Sequence, residues 1–225
     1  MDFAATYRGA RIRMGELFGH VSREEDRRPV PGTPLWTVHE LCAHLVGVTC
    51  DAVDGNTEGI GTPPWTARQV EERRDWTLDE LLNEWDERAP AAERMLETGV
   101  PWLAIDAVTH EHDVRGALGR AGTDDLPAIE SIVAQLVERA VGQRVERAGL
   151  PGVRLVGGAS SWVAGTSEVG ATVHATSMEF FRSLTGRRSG RQVSGYRWIG
   201  EPEPYLAFWS VFGPLPEADV AEPGA

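Results

Sequence analysis

Apolar residues recur every three to four positions through the first two thirds of the chain, which predicts a series of amphipathic helices. The first predicted helix covers residues 3–20. A second covers residues 37–53 and opens with a capping box, in which Thr37 and Glu40 satisfy each other's backbone N–H groups. Similar cap signatures predict that further helices open at Thr66 and at Thr77.

Helical spacing continues over residues 102–118 and 129–148 and then stops. After Pro151 the chain changes to short β-branched segments separated by glycine-rich turns, which predict strands. Two short helices are predicted beyond them, over residues 178–184 and 204–212.

This change from helical spacing to strand-like segments predicts an α+β protein with two domains. We expect a helical domain over residues 1–150, a small mixed domain over residues 151–216, and a disordered tail over residues 217–225. Residues 23–34 are charged and rich in proline, so an irregular surface loop is expected there.

The charge of the chain limits its partners and its chemistry. A net charge of −12 argues against a nucleic-acid partner, which would need a positive surface. No segment is long and apolar enough to cross a membrane, so we expect a cytoplasmic protein. We also expect it to be a monomer or a homodimer and to act on small molecules. The 22 basic residues include no lysine, which excludes Schiff-base chemistry, pyridoxal phosphate anchoring and a P-loop.

Ligands of the type that bind metal ions stand at helical spacing in the segment 106–113. On a helix, Asp106 and His110 lie one above the other, whereas His110 and His112 point about 200° apart and cannot share one ion. The predicted helix 37–53 carries His44 beside its apolar stripe. Two such helices packed together would bring His44, Asp106 and His110 to one metal ion.

Two structural alternatives compete with this metal site. A lone histidine on an apolar face is commonly a core imidazole that hydrogen-bonds to a backbone carbonyl, and this would account for His44. A hydrogen-bonded pair of Asp106 and His110 that bridges helices fits the spacing as well as metal binding does.

A cationic cluster follows the short helix predicted at 178–184. It consists of Arg182, Arg187, Arg188 and Arg191. Arginines at a helix C-terminus are favoured by the helix dipole, which is the simpler explanation for any one of them. As a group they could bind a carboxylate.

Four stretches together resemble the mycothiol-dependent maleylpyruvate isomerase family, whose N-terminal domain is a DinB-like four-helix bundle. They are Pro34–Gly47 (PLWTVHELCAHLVG), Pro64–Val70 (PWTARQV), Asp106–Gly119 (DAVTHEHDVRGALG) and Glu179–Gln192 (EFFRSLTGRRSGRQ). The resemblance implies a divalent metal bound by a histidine of the second helix and a Glu-x-x-x-His pair of a later one. Zinc is the expected ion and nickel is the alternative. By position these ligands are His44, Asp106 and His110, with aspartate where the family has glutamate.

The resemblance also implies the chemistry. The metal would bind the thiol of mycothiol and lower its pKa, so that a thiolate attacks a small electrophilic substrate. In an isomerase the thiolate adds to a cis double bond and leaves after rotation, whereas in an S-transferase it stays on the substrate. The small C-terminal domain of the family is similar to sterol-carrier domains and supplies an arginine to the substrate, which makes Arg187, Arg188 and Arg191 the candidate catalytic residues. The competing hypothesis is a metal-binding or ligand-binding protein without turnover.

Overall fold

The computed structural model describes residues 2–98, 101–120, 122, 125–166 and 168–222. The chain forms two compact units that divide between Gly122 and Thr123. None of the helices in these described ranges is both long and apolar enough to cross a membrane.

The first unit is a four-helix bundle with short flanking elements. Its helices are α1 (Phe3–Phe18), α2 (Arg23–Asp26), α3 (Val38–Asp54), α4 (Pro63–Glu71), α5 (Leu78–Glu97) and α6 (Trp102–Leu118). The α1 helix packs against α5 and α6, and α3 packs against the same two helices, which closes the bundle. The α4 helix lies outside this ring of four helices and packs against α3.

A small antiparallel hairpin leads into α3. It consists of β1 (Pro29–Val30) and β2 (Thr33–Thr37), and α2 precedes it. The expectation of an irregular loop over residues 23–34 is therefore wrong in part. A capping box between Ser22 and Glu25 starts α2, and a two-residue strand is too short to produce a recognisable pattern in the sequence.

Local sequence signals explain where the long helices begin and end. The predicted capping boxes at Thr37 and Thr77 are confirmed, with hydrogen bonds in both directions. The α6 helix ends at Gly119, whose φ of 64° is a left-handed conformation that glycine adopts without strain. The predicted start at Thr66 is wrong, because α4 already begins at Pro63, where the fixed φ of proline suits the first turn.

A chain of buried hydrogen bonds ties three bundle helices together. Trp85 Nε1 donates to Tyr7 Oη at 2.7 Å, Tyr7 Oη lies 2.9 Å from Thr49 Oγ1, and Thr49 Oγ1 donates to the Leu45 carbonyl at 2.9 Å. Because Thr49 donates onward, Tyr7 is the donor to Thr49. Burial, partly offset by these bonds, raises the pKa of Tyr7 to about 12, so its hydroxyl stays protonated.

The second unit is built on a four-stranded sheet. Its strands are β3 (Gly152–Gly157), β4 (Ser160–Ala164), β5 (Val169–Ala175) and β6 (Arg197–Ile199). They are ordered β4-β3-β5-β6, with β3 and β5 parallel and the other neighbours antiparallel. The α+β fold class is thereby confirmed, and β6 is the strand that was too short to predict.

Helices cover the sheet of the second unit. They are α7 (Leu126–Leu136), α8 (Gly142–Arg147), α9 (Ser177–Leu184), α10 (Gly190–Ser194) and α11 (Glu203–Trp209). A π-helical segment, Val137–Val141, joins α7 to α8 and interrupts the single helix predicted over residues 129–148. The α7 helix packs against α9, and α9 packs against β3.

The structure differs from the expected domain limits at two places. The compact units divide before α7, whereas the change from helical spacing to strand-like segments in the sequence places the boundary near residue 150. The packing of α7 on α9 groups it with the sheet, and helical periodicity carries no sign of that contact. Residues 217–222, expected to be disordered, are anchored: Gln192 bonds both the N–H and the carbonyl of Val220.

Candidate metal centre

The three predicted metal ligands lie together in the helical unit. His44 is on α3, and Asp106 and His110 are one turn apart on α6. One ligand atom of each residue lies within 4.8 Å of the other two. The His44 and His110 rings meet edge to face, with their centroids 5.2 Å apart. The residues that helical spacing grouped are therefore neighbours in space.

Hydrogen bonds at the far side of each ring determine which nitrogen carries the lone pair. His110 Nδ1 lies 2.8 Å from Asp113 Oδ2, and His44 Nδ1 lies 2.9 Å from Gln69 Oε1. A carboxylate and an amide oxygen are acceptors, so each imidazole donates from Nδ1 and keeps its lone pair on Nε2. This is the tautomer that a histidine needs in order to bind a cation through Nε2.

The donor set fits a divalent cation. His110 Nε2 is 3.4 Å from Asp106 Oδ1. Two ligands that each lie 2.0–2.1 Å from a tetrahedral zinc ion would be separated by about 3.3 Å. Two imidazoles and one carboxylate also match the three protein ligands found in catalytic zinc sites, where the fourth position is open.

The electrostatics of the site favour a positive charge between the ligands. Burial would lower the pKa of His110, but the charges of Asp106 and Asp113 and their hydrogen bonds outweigh it and raise that pKa. The position between His110 and Asp106 thus attracts a proton, and a divalent cation would take its place. The side chain of Asp106 is 21% exposed and that of His110 only 6%, so the site opens toward solvent beside Asp106.

An indole covers the other side of the site. Trp36, on β2, packs on His44 with ring centroids 4.5 Å apart, and its ring lies 6.3 Å from that of His110. The β1–β2 hairpin therefore supplies an apolar wall against the imidazoles. Such a wall excludes water from one face of the site and strengthens electrostatic interactions within it.

The predicted catalytic arginines lie in the second unit, and their side chains differ in exposure. Arg188 is 3% exposed and donates to Glu179 at 2.6 and 2.9 Å and to Glu222 at 2.8 Å. Arg182, 1% exposed, also pairs with Glu222. These two arginines are therefore engaged with carboxylates of the chain itself.

The two remaining arginines of the cluster have different surroundings. Arg187 is 7% exposed and donates to the Thr185 carbonyl at 2.5 Å. Arg191 has a side chain that is 81% exposed and pairs with Asp219. Among the three predicted catalytic arginines, Arg191 is the accessible one. A surface cavity of about 390 Å³ adjoins Arg188.

Comparison with known proteins identifies the family. The family described as mycothiol maleylpyruvate isomerase N-terminal domain matches residues 7–141, which is more than half of the chain. The chain belongs to this family. The match includes all three candidate metal ligands and confirms the resemblance found in the sequence.

The same fold is present in solved structures of this family. Structures of the mycothiol-dependent maleylpyruvate isomerase and of a histidine-to-alanine mutant of it superpose on the chain with TM-scores of 0.56 and 0.55. The identities are 14% and 15%, over 87% of this chain and 91% of each of those chains. No curated protein matches the chain significantly.

The members of the site that sequence reasoning missed are Gln69 and Trp36. Both lie in stretches that carry the resemblance to the maleylpyruvate isomerase family, and this was the one signal that pointed to them. Their proximity to His44 depends on how α4 and β2 pack on α3, which local periodicity does not encode. Asp113 also belongs to the site, because it stands three residues after His110 on α6 and accepts a hydrogen bond from its Nδ1.

Proposed function

We propose that the helical unit binds one divalent cation through His44 Nε2, Asp106 and His110 Nε2, and that the protein is a mycothiol-dependent enzyme. The observation that carries the proposal is the convergence of three ligand atoms within 4.8 Å, with both histidines held in the Nδ1–H tautomer, which leaves the lone pair on Nε2. Membership of the mycothiol maleylpyruvate isomerase family supports the thiol cofactor. Zinc is the proposed ion and nickel the second choice.

The chemistry follows from an open metal position. When bound, a divalent cation would lower the pKa of a coordinating thiol and supply a thiolate at neutral pH. Asp113 and Gln69 hold the two imidazoles in the orientation that points Nε2 at the ion. Trp36 excludes water from one face of the site. Asp106, as the most exposed of the three ligands, leaves the approach on its side for thiol and substrate.

The proposed substrate is a small electrophile that bears a carboxylate, and the reaction is an isomerisation or an S-transfer. Arg187, Arg188 and Arg191 are the proposed carboxylate-binding residues. Arg191 is accessible as it stands, because its side chain is 81% exposed. At Arg188 a substrate carboxylate would have to replace Glu222 or Glu179.

That engagement of Arg188 favours the second candidate function, a metal-binding or ligand-binding protein without turnover. In such a protein the arginines would stabilise the second unit by pairing with Glu179 and Glu222. It would bind the cation but have no affinity for thiols.

The first experiment measures metal content by mass spectrometry on protein purified without a histidine tag. We expect near-stoichiometric zinc or nickel, and its loss in His44→Ala and in His110→Ala. Wild-type protein that holds no metal and takes up none on addition would contradict the proposed site, and the three residues would then form a buried polar network.

A second experiment separates the enzyme from the binding protein. Cobalt-substituted protein is titrated with mycothiol, and the visible absorbance of the ion is followed. A change that saturates with thiol, and that His110→Ala lacks, supports the thiol-dependent enzyme. A cobalt spectrum that does not respond to the thiol would leave the binding protein as the better explanation.

A further inference from the structure

We propose that Gln69 is a positioning residue of the metal centre, which fixes the tautomer and direction of His44. The inference rests on the proposed function, because it concerns the same ligand set. Gln69 lies on α4, outside the four-helix ring, and none of its surface is exposed. Its Oε1 atom lies 2.9 Å from His44 Nδ1.

The orientation of the Gln69 amide is set by a carboxylate behind it. Gln69 Nε2 donates to Asp51 Oδ2 at 2.6 Å, and Arg68 donates to the same oxygen at 2.7 Å. Because an ionised carboxylate accepts and does not donate, the amide nitrogen must face Asp51 and the amide oxygen must face His44. His44 therefore donates from Nδ1 and carries its lone pair on Nε2.

The sequence of α3 is adapted to this contact at Gly47. A Cβ atom at position 47 would lie 2.5 Å from Gln69 Cβ and 2.8 Å from Gln69 Cγ, closer than atoms can approach. Glycine inside a helix is less favourable than alanine, so a close contact at this position explains its presence. At Gly47 that contact is the close approach of α4, which brings Gln69 within reach of His44.

Three residues of α3 thus surround Gln69 of α4. His44, Gly47 and Asp51 stand at i, i+3 and i+7, which is one face of a helix, and they bond to or make room for Gln69. A buried glutamine with both ends bonded is fixed in position, since any rotation would leave a buried polar group unsatisfied. The role of α4 is therefore to present this amide to the metal ligand.

The test reads the tautomer directly in metal-free protein. Long-range ¹⁵N–¹H NMR of protein labelled in its histidines, recorded well above the usual imidazole pKa of about 6.5, shows which ring nitrogen carries the proton. We expect His44 to be protonated on Nδ1 in the wild type. Gln69→Leu, which removes the acceptor oxygen, should produce a mixture of tautomers.

A second pair of variants leaves all hydrogen-bonding groups in place. Gly47→Ala should push Gln69 away and shift the His44 tautomer as Gln69→Leu does. Gly15→Ala, on the bundle helix α1, is the matched control. The Cβ atom that it adds would have no neighbouring atom within 4 Å. Zinc affinity should fall by about 10- to 100-fold in Gln69→Leu and Gly47→Ala, and stay unchanged in Gly15→Ala.

The inference is overturned if His44 keeps the Nδ1–H tautomer in both Gln69→Leu and Gly47→Ala. It is also overturned if both variants bind zinc within about twofold of the wild type, far less than the loss expected for an outer-sphere partner. Failure of the proposed function gives a different result, because the wild type itself would then bind no metal. The effect of Gln69→Leu on the His44 tautomer is measured in metal-free protein and is independent of that result.

Discussion

Asp113 accepts a hydrogen bond from His110 Nδ1 at 2.8 Å across one turn of α6, and its side chain is completely buried. A buried carboxylate needs a partner, and here the partner is the imidazole whose other nitrogen faces Asp106. The pair orients the ring and increases its basicity as a ligand. Asp113 is therefore part of the proposed metal site without contacting the ion.

We expect Asp113→Asn to weaken zinc binding by about 10- to 100-fold. The asparagine keeps an oxygen acceptor of the same shape, so the fold is preserved, but the negative charge behind the imidazole is lost. Zinc affinity can be measured by competition with a chromophoric chelator. Asp75→Asn, at an exposed position before α5, serves as the control. Equal affinities in the two variants would show that Asp113 has a structural role alone.

Trp36 should report metal binding through its fluorescence. The chain has 8 tryptophans, and the Trp36 ring lies within 4.5 Å of the His44 ring and 6.3 Å of the His110 ring. A paramagnetic cobalt ion bound between these imidazoles would quench the indole, because quenching falls steeply with distance. We expect Trp36→Phe to lose most of the cobalt-dependent quenching that the wild type shows.

The control for this experiment is Trp76→Phe, which removes a tryptophan that is 37% exposed. That variant should keep the cobalt-dependent change. Quenching that persists in Trp36→Phe would place the ion away from the hairpin, and hence away from His44.

The proximity of the candidate metal ligands could be predicted from the sequence because two of the three are grouped on one helix. Asp106 and His110 are on one helix, so their relation follows from 3.6 residues per turn, and His44 is marked by its position beside an apolar stripe. The long helices and the first three strands of the second unit follow from periodicity and caps in the same way.

What could not be predicted depends on contacts between elements. The reach of Gln69 to His44 requires α4 to pack closely on α3, and the placement of α7 with the sheet requires its contact with α9. The pairing of Arg182 and Arg188 with Glu222 was not predicted, because Glu222 lies in a segment whose composition is typical of disorder. Composition describes the average behaviour of a segment and does not register one specific ion pair.

The pairing of Glu222 with two buried arginines should stabilise the second unit. Arg182 and Arg188 have side chains that are 2% and 4% exposed, so loss of their carboxylate leaves buried charge without its partner. We expect Glu222→Gln to lower the free energy of unfolding by about 1–3 kcal/mol, since the glutamine loses the charge but keeps an oxygen acceptor for the arginines.

Urea unfolding followed by circular dichroism measures this effect. Glu217→Gln, at an exposed position in the same segment, is the matched control and should change stability by less than about 0.5 kcal/mol. Identical unfolding midpoints for the two variants would mean that Glu222 contributes nothing to stability, and that Arg182 and Arg188 are satisfied without it.

Glu179 should make the second unit sensitive to acid. Burial alone would raise the pKa of Glu179, but hydrogen bonds from Arg188 and Tyr196 outweigh it and hold the pKa below its ordinary value. A carboxyl whose pKa is lower in the folded state stabilises the protein above its unfolded-state pKa of about 4.3. That stabilisation is lost as the pH falls from there through the lowered folded-state value.

Glu179→Gln removes this titration while it keeps an oxygen acceptor for Arg188 and Tyr196. We therefore expect its unfolding free energy to decline less steeply below about pH 4.3 than that of the wild type. Denaturant unfolding over a series of acidic buffers gives both slopes, and Glu201→Gln, at an exposed position, should follow the wild type. Parallel curves for Glu179→Gln and the wild type would mean that Arg188 does not hold this carboxyl ionised. The pairing with Glu222 would then be the one that keeps the arginine buried, and Glu179 would be the carboxylate that a substrate could displace from Arg188.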